Sequence, residues 1–331
     1  MWLLSLSAWL ISSEVVSSYT SSSNMKRFVC HSIAFLVVMG GILGGACFFL
    51  KDTSAGKTML GAQKEKLNQL AELPGRRIIL LGGSGCGQGF VTSNLCATLK
   101  RPVYNMGLHA GLGIIYQMKA VEPLVRKGDT VLLFPEYANF DGSTCFGETE
   151  LLMMVIDVIP EQKSLLTFRH WLHLLPLMPK YGADKLRHLF MPPSGKDLSN
   201  DFDGCGDRKI GEGLLPLAQV PFPPAHRMAG RDFSPAVLPY ISDFVDKVRK
   251  KGGTVRLLPP AFQQSSYRRQ VGYIQCISDA FKKIGIPFDA SPERYALDDR
   301  YFCDTPYHLN LAGRQLRSQL CVEDLLHTDG F

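Results

Sequence analysis

The chain has 331 residues, which is enough for one large domain or two small ones. Hydrophobic residues make up 46% of it and charged residues 20%, an ordinary balance for a globular protein that argues against general disorder. The formal net charge is +6, and the basic residues are scattered without a basic stripe interleaved with aromatics, so the composition argues against a nucleic-acid-binding protein.

Residues 25–51 predict an N-terminal transmembrane anchor. Within them, residues 32–50 form an uncharged apolar run that is long enough to cross a bilayer. The basic pair Lys26-Arg27 precedes the run, which favours a cytoplasmic start and an exported body. A cleaved signal peptide is the alternative, but it would have a shorter apolar core, so an uncleaved anchor is favoured. Residues 1–24 precede the first residue of this anchor and are expected to be a non-native upstream extension.

Residues 52–75 predict a polar, partly helical spacer, and residues 76–331 alternate short apolar runs with helical periodicity. This alternation predicts the α/β class, with a doubly wound, parallel, five-stranded sheet. The predicted strands are 78–81, 103–106, 130–134, 254–258 and 286–289. The predicted helices are 91–99, 114–121, 241–252, 271–284 and 310–321, the last beginning near Asn310, a good N-cap residue.

An insertion at about 141–235 interrupts this alternation. It follows the carboxyl end of the third strand, where ligands bind in such sheets, and we expect it to cap the site. Cys145 and Cys205 are candidates for a disulfide that braces it if the body is exported. Metal binding is not expected, because the chain has no CxxC pair and because His170 and His173 have no further ligand near them.

A glycine-rich turn, LLGGSGCGQG, follows the first predicted strand. A phosphate-binding P-loop would need lysine and then serine or threonine where Gln88 and Gly89 stand. The dinucleotide fingerprint does not fit the glycine spacing, and Cys86 stands where a nucleophile elbow needs its last glycine. No nucleotide cofactor is therefore expected, and Ser84 remains at the end of the strand, either as a nucleophile or as a helix cap.

The stretch FCDTPYHLN, just before the last predicted helix, contains a candidate general base for Ser84. A serine hydroxyl is a weak nucleophile until an imidazole accepts its proton, and a carboxylate orients that imidazole. His308 is the candidate base and Asp304 the candidate orienting residue, with Ser84 as the third member of a catalytic triad. The Cys86 thiol is an alternative nucleophile, but it would depend on the same His308.

These blocks resemble the SGNH (GDSL-like) hydrolase superfamily, and more closely its membrane-anchored, extracytoplasmic bacterial members. The resemblance covers about residues 76–140 and 240–321. It implies a flavodoxin-like fold in which Ser84, His308 and Asp304 are catalytic. It also implies that the backbone N–H groups of Ser84 and of Gly107, in YNMGLHAG, bind the oxyanion.

The sequence departs from the family pattern at three points. Three residues separate Asp304 from His308 where the family usually has two. Gly83 stands where the family has an aspartate before the nucleophile. The block after the third strand, LLFPEYANF, has Glu136 and Tyr137 where an asparagine is usual, and Asn139 follows slightly later as the candidate for that oxyanion donor.

Four further residues are candidates for substrate binding because they follow predicted strands at the same edge of the sheet. Each also has a simpler interpretation as an ordinary loop or strand-end residue. They are His109, Glu136, Tyr137 and Gln263.

The resemblance implies a serine ester hydrolase or O-acyltransferase that acts on acylated envelope or exported polysaccharide without a cofactor. It implies a single-pass protein of the cytoplasmic (inner) membrane with an extracytoplasmic domain, working with polysaccharide-assembly proteins. The alternative is a catalytically inactive SGNH-like binding or assembly protein of the cell envelope, which Gly83 and the missing asparagine after the third strand favour.

Overall fold

The computed structural model describes residues 22–142, 144–209 and 233–327. Contacts divide the chain into two compact units. The first, here the anchor unit, lies within Met1–Leu50 and Met178–Phe190, and the second, here the α/β unit, lies within Lys51–Leu177 and Met191–Phe331. The interpretation of residues 1–24 as an upstream extension falls almost wholly outside the described residues.

The described helices and strands follow one another in this order. The α-helices are α1 (Ser22–Phe49), α2 (Ala62–Glu72), α3 (Ser84–Gly87), α4 (Thr92–Leu99), α5 (Ile114–Val121), α6 (Thr149–Met153), α7 (Phe168–Leu174), α8 (Met178–Phe190), α9 (Leu238–Lys250), α10 (Gln264–Lys283) and α11 (Leu311–Leu326). The strands are β1 (Ile78–Gly82), β2 (Val103–Asn105), β3 (Thr130–Phe134), β4 (Thr254–Leu257), β5 (Phe262–Gln263) and β6 (Ala296–Leu297). Short 3-10 helices include Ala110–Leu112, Tyr137–Phe140, Pro235–Val237, Pro292–Tyr295 and Asp299–Tyr301.

Four strands form a parallel sheet in the order β2-β1-β3-β4, which confirms the predicted α/β class with a parallel sheet. In register, Ile78 of β1 lies between Val103 of β2 and Thr130 of β3, and Thr130 pairs in turn with Thr254 of β4. Strands β1 and β3 are buried along their whole length, as expected for continuous apolar runs covered on both sides.

The two faces of the sheet pack against different helices, because successive strand residues point to opposite sides. Ile79 and Leu81 of β1 join the cluster that contains the apolar residues of α5, α9 and α10. Ile78 and Leu80 join the cluster that contains Leu95 of α4 and Cys321 and Leu325 of α11. Helices therefore cover both faces, and all four strands end at one edge where loops can meet.

The fifth predicted strand, 286–289, is not formed. Its backbone makes one hydrogen bond to β4, from the N–H of Asp289 to the carbonyl of Leu257 (2.8 Å). The N–H of Ile286 donates instead to Phe281 at the end of α10, and Pro287 has no N–H to donate. The segment lies beside β4 but cannot build a ladder along it.

The other predicted strands and helices are present; β3 and α5 have their predicted bounds, and the rest are shifted at one end or both. The predicted spacer contains α2, and α10 begins several residues before its predicted start because its first turn is polar. Asn310 is the N-cap of α11, and its side-chain oxygen accepts the N–H of Gly313 at 3.0 Å.

The insertion contains α6, α7 and α8, and its residues 210–232 lie outside the described part of the chain. Helix α8 belongs to the anchor unit with α1 rather than to the α/β unit. The segment of the insertion around Cys205 contacts β2, the edge strand of the sheet: the N–H of Asn105 donates to the carbonyl of Cys205 (2.9 Å). Cys145 and Cys205 are both free thiols, so the expected disulfide is not formed, and the Cys205 thiol lies beside that of Cys96 instead.

Helix α1 is long and apolar enough to cross a membrane, judged by length and composition. Its apolar side chains are largely exposed, which would be costly in water for so long a helix and is the usual condition of a helix in lipid. This finding supports the anchor only in part, because a signal sequence near the N-terminus also meets this criterion of length and composition.

Candidate active site

Ser84 lies at the carboxyl end of β1, as the first residue of the one-turn helix α3. Its side chain is almost fully buried. The turn is tight: the N–H groups of Cys86 and Gly87 donate to the carbonyl of Gly83 at 3.0 and 3.1 Å. A Cβ on Gly82 would lie 2.8 Å from the carbonyl oxygen of Phe134, so the glycine is needed where β1 and β3 end side by side.

His308 and Asp304 form a hydrogen-bonded pair in the loop before α11. The distance from His308 Nδ1 to Asp304 Oδ1 is 2.8 Å. The loop is closed by hydrogen bonds from the N–H of Cys303 to the carbonyl of His308 (2.8 Å) and from the N–H of His308 to Thr305 Oγ1 (3.1 Å). The hydrogen bond with His308 lowers the pKa of Asp304, so the carboxylate remains ionised and can orient the imidazole.

The loop that carries His308 packs on the turn that carries Ser84. A Cβ built on Gly85 would lie 3.0 Å from the Cβ of Tyr307, the residue before His308. The ring of Tyr307 packs against the ring of Phe262, with ring centroids 4.8 Å apart. The chain neighbours of the predicted nucleophile and of the predicted base are therefore in contact, although they lie far apart in sequence.

Glu136 lies inside the Ser84 turn. Its Oε1 accepts the N–H of Gly85 at 2.9 Å, and the side chain is buried. A Cβ on Gly83 would lie 2.5 Å from the same oxygen, so a side chain at position 83 is incompatible with Glu136 in this position. Gly83 and Glu136 therefore depend on each other, because the Glu136 carboxyl fills the space that a side chain at position 83 would need.

The ionisation of Glu136 is controlled by opposing effects. Burial raises the pKa of its carboxyl, whereas the Gly85 hydrogen bond and the charges of His308, His109 and Arg317 lower it. The net effect raises the pKa of Glu136, so its carboxyl keeps its proton to a higher pH than an exposed glutamate does.

We expect Glu136→Gln to change the pH dependence of stability. A raised pKa in the folded state gives a contribution to stability that is complete below the ordinary glutamate pKa and is lost as pH rises through the folded-state value. The glutamine variant keeps an oxygen for the Gly85 N–H and does not titrate. It should match the parent in thermal unfolding at about pH 4 and exceed it at about pH 8. Glu161→Gln, an exposed control, should shift neither value, and an equal difference at both pH values would contradict the buried-acid assignment.

Two backbone N–H groups near Ser84 already have protein acceptors. The predicted oxyanion donor Gly107 donates its N–H to Asn105 Oδ1 at 2.9 Å, and the N–H of Gly85, the residue after Ser84, donates to Glu136. Asn105 is held in place because its amide nitrogen donates to the carbonyl of Cys86 (3.0 Å) and to Asp207 (2.8 Å). Asn139 is buried in the 3-10 helix after β3, and its N–H donates to the carbonyl of Glu136 at 2.8 Å.

The remaining predicted residues lie around the turn with different degrees of access. His109 is half-buried, and its Nδ1 accepts the N–H of Gly111 at 3.0 Å, which leaves Nε2 to carry the proton of the neutral ring. Tyr137 is fully buried with its ring edge-on to Phe262. Gln263 is buried, and its Oε1 accepts the hydroxyl of Ser266 at 2.8 Å. Tyr137 and Gln263 thus have their side chains packed or bonded within the protein.

Arg317, which no sequence pattern predicted, bonds directly to the Ser84 turn. It comes from α11, is fully buried, and donates from Nη1 to the carbonyl of Gly85 at 2.7 Å. Its guanidinium lies over the rings of Phe90 (4.2 Å) and Phe134 (4.9 Å). An arginine in a terminal helix with mixed polar and apolar residues looks like a surface residue, and no local pattern distinguishes this one.

The thiol alternative is not supported by the environment of Cys86. Burial raises the pKa of this thiol to about 12, so it remains protonated, and it lies beside Asn105 at 3.3 Å from Oδ1. Ser84 is therefore the better nucleophile of the two.

Among residues 22–142, 144–209 and 233–327, no group of three or more His, Cys, Asp and Glu is placed to hold a metal ion. His170 is buried against Phe146, and its Nδ1 bonds to the N-cap residue Thr167 of α7 at 2.7 Å. Burial lowers the pKa of His170 to about 4, so it acts as a neutral capping residue.

Comparisons of the chain with protein-family models, with curated proteins and with solved structures found no match.

Proposed function

We propose that this protein is a membrane-anchored serine ester hydrolase or O-acyltransferase of the SGNH type. The observation that carries the proposal is the His308–Asp304 hydrogen bond, in a loop whose Tyr307 packs directly on the Ser84 turn. Nucleophile, base and orienting carboxylate are the three parts that acyl transfer through serine requires.

In the proposed reaction the Ser84 hydroxyl attacks an ester carbonyl while His308 Nε2 accepts its proton. Asp304 holds Nδ1–H and stabilises the imidazolium. The tetrahedral intermediate then loses its alcohol, which takes the proton from His308 and leaves an acyl-Ser84. Water completes a hydrolysis, and a sugar hydroxyl completes a transfer, with His308 again accepting the proton of the attacking group.

The oxyanion of this intermediate needs donors near Ser84. The N–H of Gly85 is the nearest backbone donor after the nucleophile, and a substrate oxygen bound there has to replace Glu136 Oε1. Burial raises the pKa of Glu136, so its carboxyl takes up a proton more readily than an exposed glutamate does, and a protonated carboxyl is less costly to displace from the Gly85 N–H than a carboxylate.

We also propose that the sheet is of the flavodoxin-like type. The strand order β2-β1-β3-β4, with residues 286–289 beside β4, is the order of a flavodoxin-like sheet whose last strand is reduced to one hydrogen bond. From the resemblance we take O-acyl groups of envelope or exported polysaccharide as the substrate. The basic pair Lys26-Arg27, which lies in the first turns of α1 before its apolar run, supports an inner-membrane anchor with an extracytoplasmic α/β unit.

A second candidate is a non-catalytic binding or assembly protein with the same fold. The observation that favours it is that the N–H groups of Gly85 and Gly107 are both engaged by side chains of the protein itself. In this alternative, Glu136 and Asn105 hold the turn permanently and no oxyanion forms.

A serine-directed fluorophosphonate probe discriminates between the two. With the full chain in detergent, we expect covalent labelling of Ser84, located by peptide mass spectrometry, and its loss in Ser84→Ala. Ser93→Ala, at an exposed serine of α4, should label like the parent. Absence of labelling at Ser84 in the folded protein, together with retained binding to acylated polysaccharide, would favour the binding protein.

A further inference from the structure

Helix α8 packs closely on the second half of α1 within the anchor unit. Gly182 lies against the carbonyl of Leu43, and a Cβ at position 182 would overlap with that carbonyl group. Backbone-to-backbone contact of this kind depends on glycine and is typical of helix pairs in membranes, where small residues let helices approach. The insertion therefore contributes a second helix to the segment that the sequence presents as a lone anchor.

Lys185 of α8 completes the carboxyl end of α1. Its Nζ donates to the carbonyls of Cys47 (2.8 Å) and Leu50 (2.7 Å), and its side chain is buried. The last four carbonyls of a helix have no partner inside the helix, and in a bilayer each unsatisfied one is costly. A cation at a helix C-terminus also interacts favourably with the helix dipole. The contact thus has the chemistry expected at the end of a membrane span.

The depth of the contact follows from helix geometry. Leu43 and Leu50 are separated by about 10 Å along α1 at 1.5 Å per residue. The apolar run ends at Leu50, so α8 contacts α1 within about 10 Å of that end. Amphipathic helices that lie in the membrane interface bury their apolar face to about 5–10 Å, which is the same depth.

The surface of α8 that faces away from α1 is suited to that layer. Leu189 is 59% and Phe190 83% exposed, an unusual exposure for two adjacent large apolar side chains. Lys180 and Arg187 are exposed on the same helix, whose one acidic residue, Asp184, pairs with Arg187 at 3.1 Å, so α8 keeps a net positive charge. Apolar and cationic side chains together are the combination that binds anionic lipid surfaces.

We propose that α8 is an interfacial helix that returns the insertion to the bilayer where α1 ends, with Leu189 and Phe190 among the acyl chains and Lys180 and Arg187 at anionic headgroups. The proposal rests on the membrane anchoring proposed above and is independent of the hydrolase chemistry. In this arrangement two helices, α1 and α8, attach the protein to the membrane. The extracytoplasmic body is then connected to the membrane through the chain before β1 and also through the insertion.

Site-specific photo-crosslinking tests the proposal in the full chain. p-Benzoylphenylalanine replaces Phe190, Phe35 or Val271 in separate variants, all at exposed positions, so that none disturbs a packed core. Each variant is reconstituted into vesicles of phosphatidylcholine and phosphatidylglycerol, irradiated, and analysed for lipid adducts by mass spectrometry. We expect adducts at position 190 at a level close to position 35 and far above position 271.

The outcomes separate the two proposals. Adducts at position 35 with none above the position 271 level at position 190 would overturn the interfacial helix and leave the anchor intact. No adducts at either position 35 or position 190 would overturn the anchor, and the interfacial helix with it. In the position 190 variant, Lys180→Gln with Arg187→Gln should lower the phosphatidylglycerol share of the adducts several-fold, and an unchanged share would overturn the headgroup assignment.

Discussion

Replacing Ser84 with alanine is expected to lower kcat/KM for a small acetyl ester by about 10³-fold or more. The hydroxyl oxygen is the atom that forms the acyl-enzyme, and no other nucleophile is available in the turn, because the buried Cys86 thiol remains protonated. Hydrolysis of nitrophenyl acetate by the purified full chain in detergent measures the effect.

His308→Ala is expected to cause a loss of the same size, because without the imidazole the hydroxyl remains a poor nucleophile. The double variant Ser84→Ala with His308→Ala should be no worse than either single one, since residues that act as a unit are not additive. Asp304→Asn should cost about 10²–10⁴-fold by favouring the wrong tautomer of His308, with substrate binding little changed.

Two matched controls accompany these variants. Ser93→Ala and His327→Ala remove an exposed serine and an exposed histidine and should leave the rate unchanged. Full activity in Ser84→Ala, or additive losses in the double variant, would exclude a triad. A parent protein that is folded but has no esterase activity would point to the binding protein.

Asp129→Ala is expected to destabilise the α/β unit by about 3–5 kcal/mol, the usual effect of removing one partner of a buried ion pair. Asp129 and Arg77 are both fully buried at the amino edge of the sheet, before β3 and β1 respectively. Asp129 Oδ1 accepts the Arg77 N–H at 3.0 Å and Oδ2 accepts Nη2 at 2.5 Å. Nη1 and Nη2 also donate to the carbonyls of Leu70 and Leu124, so the loss would leave a buried cation with neutral partners only.

Urea unfolding followed by circular dichroism measures this difference. Asp243→Ala, which breaks an exposed pair with Lys247 on α9, is the control and should cost less than about 1 kcal/mol. The double replacement Arg77→Met with Asp129→Leu should recover part of the loss, because it removes the buried charge together with its partner. Equal effects of Asp129→Ala and Asp243→Ala would contradict the assignment of a buried pair.

Local patterns in the sequence were sufficient for the elements that depend on near neighbours. Continuous apolar runs predicted β1 and β3 to within a residue, because strands buried on both faces must be apolar throughout. Asn310 caps α11 as predicted, since a cap is decided by residues within one turn. The position of Ser84 at a strand end follows from the same local information.

The failed strand at 286–289 shows where local pattern stops being sufficient. The run is apolar enough for a strand, but whether it pairs depends on the backbone partners that β4 and α10 offer. The N–H of Ile286 donates to a carbonyl of α10 and so is not available to β4. In the same way, no spacing along the chain indicates that α8 packs on α1. Such pairings are decided by which surfaces meet after folding.

The immediate surroundings of Ser84 were decided by the tertiary structure alone. Glu136 reaches Gly85 from 51 residues away, and Arg317 reaches it from 232 residues away. Both are charged side chains that sequence reasoning places on a surface or leaves open, because burial of a charge is set by distant residues rather than by its neighbours. The sequence by itself determined the α/β class, the strand-end serine and the His308–Asp304 loop. Only the folded chain decided that the His308 loop packs on the Ser84 turn, and that a glutamate and an arginine both bond to Gly85 in that turn.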